Sequence, residues 1–459
     1  MAERTTLTFL GATRTVTGSK FLLRSAAAST LVDAGLFQGL RELRRRNWDR
    51  LPFAADRLDA VVLTHAHLDH SGYLPALVDQ GFAGRVVTTA RTAELAAIVL
   101  QDSAHLQVED AAYAAARGFS RHAQPRPLYD VDDVARVLPL IERVGFGEVV
   151  PVADGVEAML QPAGHILGSA TARVTVDGHR VVSSGDLGRP AHPLLAPPPP
   201  PPACDTLLVE STYGDRRHGD DAVERLADVV VRTIARGGVV LVPAFAVDRT
   251  EVVLVALAAL ADAGRIPRVP VYLDSPMALS ALEVYRSALR AGDADVRPGL
   301  DPRLLDVPQV REARSAEESM RLNRPDHPCI VVSASGMATG GRVVHHLRSL
   351  LPDLDNSVVL VGYQAEGTRG RDLAEGAPQL KMHGRYVPVR AEIVQVDGFS
   401  VHADADELVA WLSGIPEPPA TTYVVHGEPH GSLALAERVR RELGWLTVVP
   451  RDGERVVLG

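Results

Sequence analysis

The segment LTHAHLDHSG, residues 63–72, sets four donors within six positions: His65, His67, Asp69 and His70. An apolar run, residues 58–64, leads into it. A lone histidine beside a strand is usually a surface or hydrogen-bonded residue. Four groups that bind hard or borderline metals, gathered at one strand end, are not explained that way. His65 and His67 stand two apart on an extended segment, so both rings face one side and suit a Zn²⁺ ion as neutral imidazoles. Asp69 and His70 fall in the turn that follows and can address a second ion.

Such a strand end requires partner donors from elsewhere in the chain. PAGHILGSA (162–170) sets His165 in a Gly-flanked loop, VVSSGDLG (181–188) ends a strand with Asp186, and TYVVHGEPH (422–430) ends another with His426. A carboxylate at Asp186 can bridge two ions, one held by His65, His67 and His165, the other by Asp69, His70 and His426. Asp33, in LVDAGLFQG (31–39), is a candidate to orient a ligand histidine from behind. Taken singly, an Asp-Gly or His-Gly pair is usually just a turn.

The rest of the chain is organised in two textures. Strand-like runs at 7–11, 20–25, 29–35 and 59–65 alternate with polar turns, an Ala-rich stretch at 90–118 has helical spacing, and 171–186 reads as a hairpin turning at Asp177-Gly178. A proline run at 196–203 reads as a stiff surface connector. From TYGD (212–215) the pattern changes to helices (220–238, 248–264, 278–289, 341–351) interleaved with buried strands (239–245, 269–274, 329–335, 357–363). Repeated β-α-β units of this kind predict a parallel sheet with helices on both faces. Strand-and-loop texture returns near residue 387. The expected domains are therefore 1–212, an insertion at 213–378, and a returning part at 379–459.

The ordered set LVDAG, THAHLDH, GHILGS and SSGD resembles the metallo-β-lactamase fold, an αββα sandwich with a dinuclear zinc site. VESTYGD (209–215), DGFSVHAD (397–404) and YVVHGE (423–428) resemble the β-CASP subgroup, whose second domain is an insertion. The resemblance spans essentially the whole chain. It implies an α/β protein, an αββα metallo-β-lactamase sandwich with an inserted parallel-sheet β-CASP domain. It also implies two Zn²⁺ per chain, with Glu210 supporting His402 as the general acid. Asp69, read above as a ligand, is also a candidate proton acceptor, being close to a water held between the ions. Histidine at position 426 looks like the RNA-processing branch, and DGFSVHAD like the nuclease subunit of the pre-mRNA cleavage machinery and its prokaryotic relatives.

Phosphate contacts are expected at SASGMATGGR (333–342), through Ser335, Gly336, Met337 and Arg342, and at GYQAEGTRGRDL (362–373), through Gln364, Thr368, Arg369 and Arg371. Tight packing is the alternative for any Gly-rich strand-to-helix turn. PAFAVDRTE (243–251) departs from the family habit of Gly and Gln where Asp248 and Glu251 stand, and charge there would weaken backbone binding. RELRRRNWDR (41–50) reads as a solvated helix face, with RNA guidance as the alternative. Adjacent His345 and His346 do not face one way on a helix. His105, His122, His192, His218 and His383 show no ligand spacing.

The formal net charge of −9 excludes binding of an anionic partner by overall charge. Two isolated cysteines, Cys204 and Cys329, exclude a disulfide framework and fit a reduced cytoplasmic compartment. The most apolar stretch, 252–261, is too short to span a membrane, and no signal peptide is expected. The expected activity is hydrolysis of single-stranded RNA to a 5′-phosphate and a 3′-hydroxyl. A small-molecule ester or thioester hydrolase and a non-catalytic RNA-binding scaffold remain alternatives, and a DNA nuclease is disfavoured by His426. The oligomeric state is open, a homodimer among the alternatives.

Overall fold

A computed structural model describes residues 4–117, 125–219 and 221–459. His122, the last position of the 90–118 stretch and the first of the 220–238 helix lie outside the described residues. The chain divides into two units, residues 1–217 with 402–459, and residues 218–401.

The first unit holds two seven-stranded sheets. One runs Arg455–Val457, Thr6–Phe9, Phe21–Arg24, Ser29–Val32, Ala60–Val62, Arg85–Thr89, Ile141–Val144. The other runs Thr447–Val448, Thr421–Val424, Thr206–Val209, His179–Ser183, Ala170–Val176, Val156–Pro162, Val149–Ala153. Period-2 side chains such as Leu7 and Phe9, Phe21 and Leu23 on the first sheet meet Ala158 and Leu160, Ala172, Val174 and Val176 on the second in one buried core. The outer face of the second sheet, through Val182, Leu207, Val209 and Val424, packs on helices Ala405–Ser413 and Pro429–Leu443. Outside the first sheet, helix Ala90–Arg117 packs on strand Ile141–Val144 and helix Val131–Val137. The layers are therefore αββα. The hairpin of 171–186 forms as Ala170–Val176 and His179–Ser183, turning through Asp177 (φ 49) and Gly178 (φ 82), the positive dihedrals that Asp-Gly tolerates.

The second unit carries a six-stranded sheet in the order Val310–Glu312, Val271–Leu273, Ile330–Ser333, Val240–Pro243, Ser357–Leu360, Glu392–Gln395, parallel throughout. Helices Arg342–Leu350 and Arg369–Ala374 cover one face through Val343, Leu347 and Leu373. Leu254 and Leu257 of helix Arg249–Asp262 line a small cavity with Ile330 of the sheet. Residues 379–401, assigned from sequence to the returning domain, lie in this unit, because Glu392–Gln395 pairs with Ser357–Leu360. Among the described residues no helix is long and apolar enough to cross a membrane.

Two glycines set how closely the loops above the sandwich approach. A Cβ on Gly35 would lie 1.6 Å from the Asp69 carbonyl oxygen, and one on Gly188 would lie 1.7 Å from the Gly164 carbonyl oxygen. These contacts press the loop after Ser29–Val32 onto residue 69, and the loop of Gly188 onto the neighbour of His165. Gly35→Ala is expected to lower the unfolding free energy by about 1–3 kcal/mol through overpacking. A denaturation midpoint unchanged from the parent chain would contradict the close approach.

Candidate metal centre

Most donors of the first unit lie in loops just past a strand end. Asp33 follows Ser29–Val32, and His165 follows Val156–Pro162. Asp186 follows His179–Ser183, Glu210 follows Thr206–Val209, and His426 follows Thr421–Val424. The first histidines differ from the sequence expectation. Strand Ala60–Val62 ends before them, so His65 and His67 lie in a loop, and Asp69 and His70 sit in a short helix, Leu68–Ser71, with His67 at its N-cap. Strand alternation therefore does not bring the two rings together. The loop does, with ring centroids 5.0 Å apart.

Local bonds explain why these loops hold still. Ser169 Oγ accepts from the amides of His165 (3.1 Å) and Ile166 (3.2 Å), closing the GHILGS loop. Ser184 Oγ accepts from the Glu210 amide at 3.0 Å, tying the Asp186 loop to the next strand end. His426 adopts φ 47, and its amide donates to Ala12 O at 2.6 Å. Asp404 caps helix Ala405–Ser413 through a capping box with Glu407, which anchors His402 two residues upstream.

The structure brings His65, His67, His165 and Asp186 together, one donor atom from each within 4.8 Å of the others. Asp69, His70 and His426 form a second such group. Asp186 faces both. Its Oδ2 lies 3.5 Å from His65 Nε2 and 3.6 Å from His165 Nε2, and its Oδ1 lies 3.3 Å from both His70 Nε2 and His426 Nδ1. Asp69 Oδ2 is 3.4 Å from His426 Nε2. Asp33 stands behind His70, 2.7 Å from its Nδ1, and accepts from the Thr64 amide at 2.8 Å. Glu210 is fully buried, accepts from the Leu187 amide at 2.7 Å, and lies 3.2 Å from His402 Nδ1.

The electrostatics of this cluster suit cations. Burial pushes His65 and His165 well below the usual imidazole range and His67 down to about 4, so these rings are neutral at pH 7, the ligand form. Burial also works against His70 and Asp186, but the Asp186 and Asp33 carboxylates hold His70 well above its usual value. His426, His70 and His65 likewise hold Asp186 well below the carboxylate range. The donors fit a metal by a further test. His65 Nε2 and His165 Nδ1 are buried with no hydrogen-bond partner, an arrangement that costs about 1–3 kcal/mol per group unless something binds there. The nitrogens His70 Nε2 and His426 Nε2 face each other at 3.1 Å, a contact that needs a proton or a cation between two lone pairs.

Two residues of this site escape a reading of ligand types. Thr64 Oγ1 lies 2.9 Å from Asp33 Oδ1 and 3.1 Å from His65 Nδ1, and Thr212 Oγ1 lies 3.2 Å from His426 Nδ1. Their only sequence signal is adjacency to His65 in one case and to the Glu210 motif in the other.

The residues expected to contact phosphate all lie in the second unit. Arg342 bonds the buried Asp274 (2.6 Å) and Ala313 O (2.9 Å), where His346 also meets Asp274 at 2.6 Å. Arg369 donates to Ala338 O and Thr339 O, and Gln364 Nε2 to Gly336 O at 3.2 Å. Met337 O accepts from the Gly370 amide, and Ser335 Oγ pairs with Thr339 Oγ1. Thr368 caps its helix, and Arg371 bonds Gln364 O and Glu375. These groups brace the 335–339 loop, with Arg342 and Arg369 each bonded within the unit. His345 stacks on His383 at 4.7 Å and does not join His346. Asp248 and Glu251 also differ from expectation, because both are fully buried. Asp248 takes φ 71, a conformation that glycine adopts freely, and accepts from Tyr285 Oη at 2.6 Å. Burial, with the charge of Asp248, pushes the Glu251 carboxyl well above its usual range, and a side chain buried there adds no surface charge.

Comparison with known proteins gives three domain matches in order. They are the metallo-beta-lactamase superfamily over residues 15–232, the Beta-Casp domain over 250–373, and the Zn-dependent metallo-hydrolase RNA specificity domain over 386–450. The chain is 37% identical to Ribonuclease TTHA0252 of Thermus thermophilus over 93% of its own length and 94% of that protein. It is 32% identical to an RNase J-like protein of Methanocaldococcus jannaschii, covering 86% of this chain and 88% of that one. It is also 32% identical to Transcription termination factor FttA of Pyrococcus abyssi, covering 87% of this chain and 62% of that protein. A crystal structure of a protein of unknown function from Enterococcus faecalis V583 shares the fold at a TM-score of 0.52 and 16% identity, over 99% of this chain and 100% of that one. With these three domains in order and such identity across nearly its full length, the chain belongs to the β-CASP ribonucleases of the metallo-β-lactamase superfamily and is a metal-dependent nuclease.

Proposed function

We propose that the chain is a zinc ribonuclease that hydrolyses single-stranded RNA and leaves a 5′-phosphate and a 3′-hydroxyl. One observation carries this reading. His402 stands beside the donor cluster without joining either donor group, its Nδ1 3.2 Å from buried Glu210 and 4.0 Å from Asp186 Oδ2. That geometry supports reading His402 as a proton donor, and a small-molecule hydrolase leaves both His402 and Glu210 without a task.

Two zinc ions, one on His65, His67 and His165 and one on Asp69, His70 and His426, would supply Lewis acidity and an acidified water. Asp186 presents one oxygen to each triad and keeps the two in register. Asp33 fixes the ring of His70, and Thr212 that of His426. Asp69, its side chain 20% exposed against 2% for Asp186, is placed to take the proton of the attacking water. As the bond from phosphorus to the ribose O3′ breaks, His402, oriented through Nδ1 by Glu210, delivers a proton from Nε2 to that oxygen. Attack by water makes no use of a 2′-hydroxyl, so the phosphate stays on the 5′ side of the downstream fragment.

Incubation with labelled single-stranded RNA, single-stranded DNA and a chromogenic lactam, with and without chelator, tests the reading. Chelator-sensitive cutting of RNA with 5′-phosphate ends is expected. Turnover of the lactam alone, or retention of RNA without cutting, refutes it. His402→Ala is expected to retain its full zinc content and lose about 10²–10⁴-fold in kcat. Zinc lost from that variant would make the residue a ligand instead. Asp186→Ala is expected to lose at least one ion per chain by elemental analysis, and full occupancy would contradict a shared carboxylate.

A further inference from the structure

We infer that Trp48 and the arginines around it form a docking track for single-stranded RNA outside the catalytic centre, a reading that rests on RNA as the substrate. The track lies in helix Arg41–Arg45 and the turn Arg46–Trp48 that follows it. Trp48 is 60% exposed, whereas Trp411 and Trp445 are each 9% exposed. Leaving so large a ring in water has no folding benefit. Arg41, Arg44, Arg45 and Arg50 are all exposed, and among the described residues none of them is in an ion pair. The segment 41–50 carries five arginines against two carboxylates, Glu42 and Asp49, in a chain whose formal net charge is −9. An exposed aromatic ring among unpaired guanidinium groups matches the needs of a single strand, whose bases stack while its phosphates seek cations.

Contacts lead from this segment to the catalytic loops. Asn47 is buried and exchanges two hydrogen bonds with the Phe37 backbone, at 2.9 and 2.8 Å, and Arg46 lies 3.9 Å over the Phe37 ring and pairs with Asp452. Arg46 and Asn47 therefore fasten the segment and leave its other arginines turned outward. The Phe37 ring packs on Gly18, at the end of a loop whose Ala12 carbonyl accepts from the His426 amide. The Ser19 amide, next in sequence, donates to Asp69 O at 2.8 Å. Arg14, exposed at φ 55 within that loop and likewise in no ion pair among the described residues, is a stepping stone between the donors and the helix. A strand held on Trp48 and these arginines would position a phosphate several nucleotides away at the metal donors.

The test uses the full chain in a His402→Ala background, so that RNA is bound but not cut. A 20-nucleotide single-stranded RNA is titrated at several salt concentrations against this chain and against the same chain with Arg44→Glu and Arg45→Glu, or with Trp48→Phe or Trp48→Ala. The expected results are at least about tenfold weaker binding for the charge-reversed pair and for Trp48→Ala. The salt slope of the charge-reversed pair should be shallower by about 1.4, that is 0.7 for each lost phosphate contact. Tryptophan emission should be quenched by RNA in the parent and not in Trp48→Phe. With His402 restored, cleavage of a trinucleotide too short to reach the track should be unchanged by these substitutions. Unchanged affinity, slope and quenching overturn the track while leaving the nuclease reading intact. Equal binding of polyglutamate without quenching assigns the patch to acidic proteins and also overturns it. If the metal-loaded parent cuts no RNA, the nuclease reading fails, and the titration still decides whether RNA docks here.

Discussion

The carboxylate of Asp186 is the constraint on which the site depends. It lies buried between two groups of histidines, with Oδ2 toward His65 and His165 and Oδ1 toward His70 and His426. A carboxylate taken out of water costs several kcal/mol unless positive charge meets it on both sides. Burial keeps His65 and His165 neutral on the Oδ2 side, so the balance there has to come from a cation, whereas His70 and His426 on the Oδ1 side are held toward their charged form. Glu210 repeats the pattern one strand over, buried and held by backbone amides with His402 in front of it. The two acids are linked, because the Ser184 hydroxyl just before Asp186 receives the Glu210 amide.

The sandwich supplies what such a cluster needs, a rigid floor and loops of fixed length. Donors from residue 65 to residue 426 converge because their strands are parallel neighbours or face one another across a single core. The loops bury apolar residues such as Ile166, Leu167 and Leu187. They are held by side-chain hydroxyls, Thr64, Ser169, Ser184 and Thr212, and by backbone in the left-handed region at Asp33 (φ 60) and His426 (φ 47). Positive φ in residues other than glycine persists only where the surroundings over-determine it, and it concentrates at functional sites.

Much of this was legible in the chain before folding. Short apolar runs such as LTF and FLLR became strands of the first sheet, and the continuous runs VVLVP and CIVVS became fully buried parallel strands of the second unit. The metal donors stood out because their chemistry is rare at strand ends. The misreadings share a cause. His65 and His67 were placed by strand geometry, yet the strand ends at Val62. Composition likewise does not show that Arg342 bonds Asp274, or that Arg369 bonds the carbonyls of Ala338 and Thr339. Asp248 and Glu251 looked like surface charge and are buried.

By itself, the amino-acid sequence determined which atoms can bind metal, the two-texture organisation of the chain, and the order in which the donors arrive, since all of these follow from residue type and local spacing. Tertiary structure alone decided that one Asp186 oxygen faces each triad, that Glu210 lies within reach of His402, that Thr64 and Thr212 steady the rings, and which arginines of residues 41–50 are in no ion pair among the described residues. Those facts depend on distances between residues hundreds of positions apart, and the packing of two sheets sets such distances where no local pattern can.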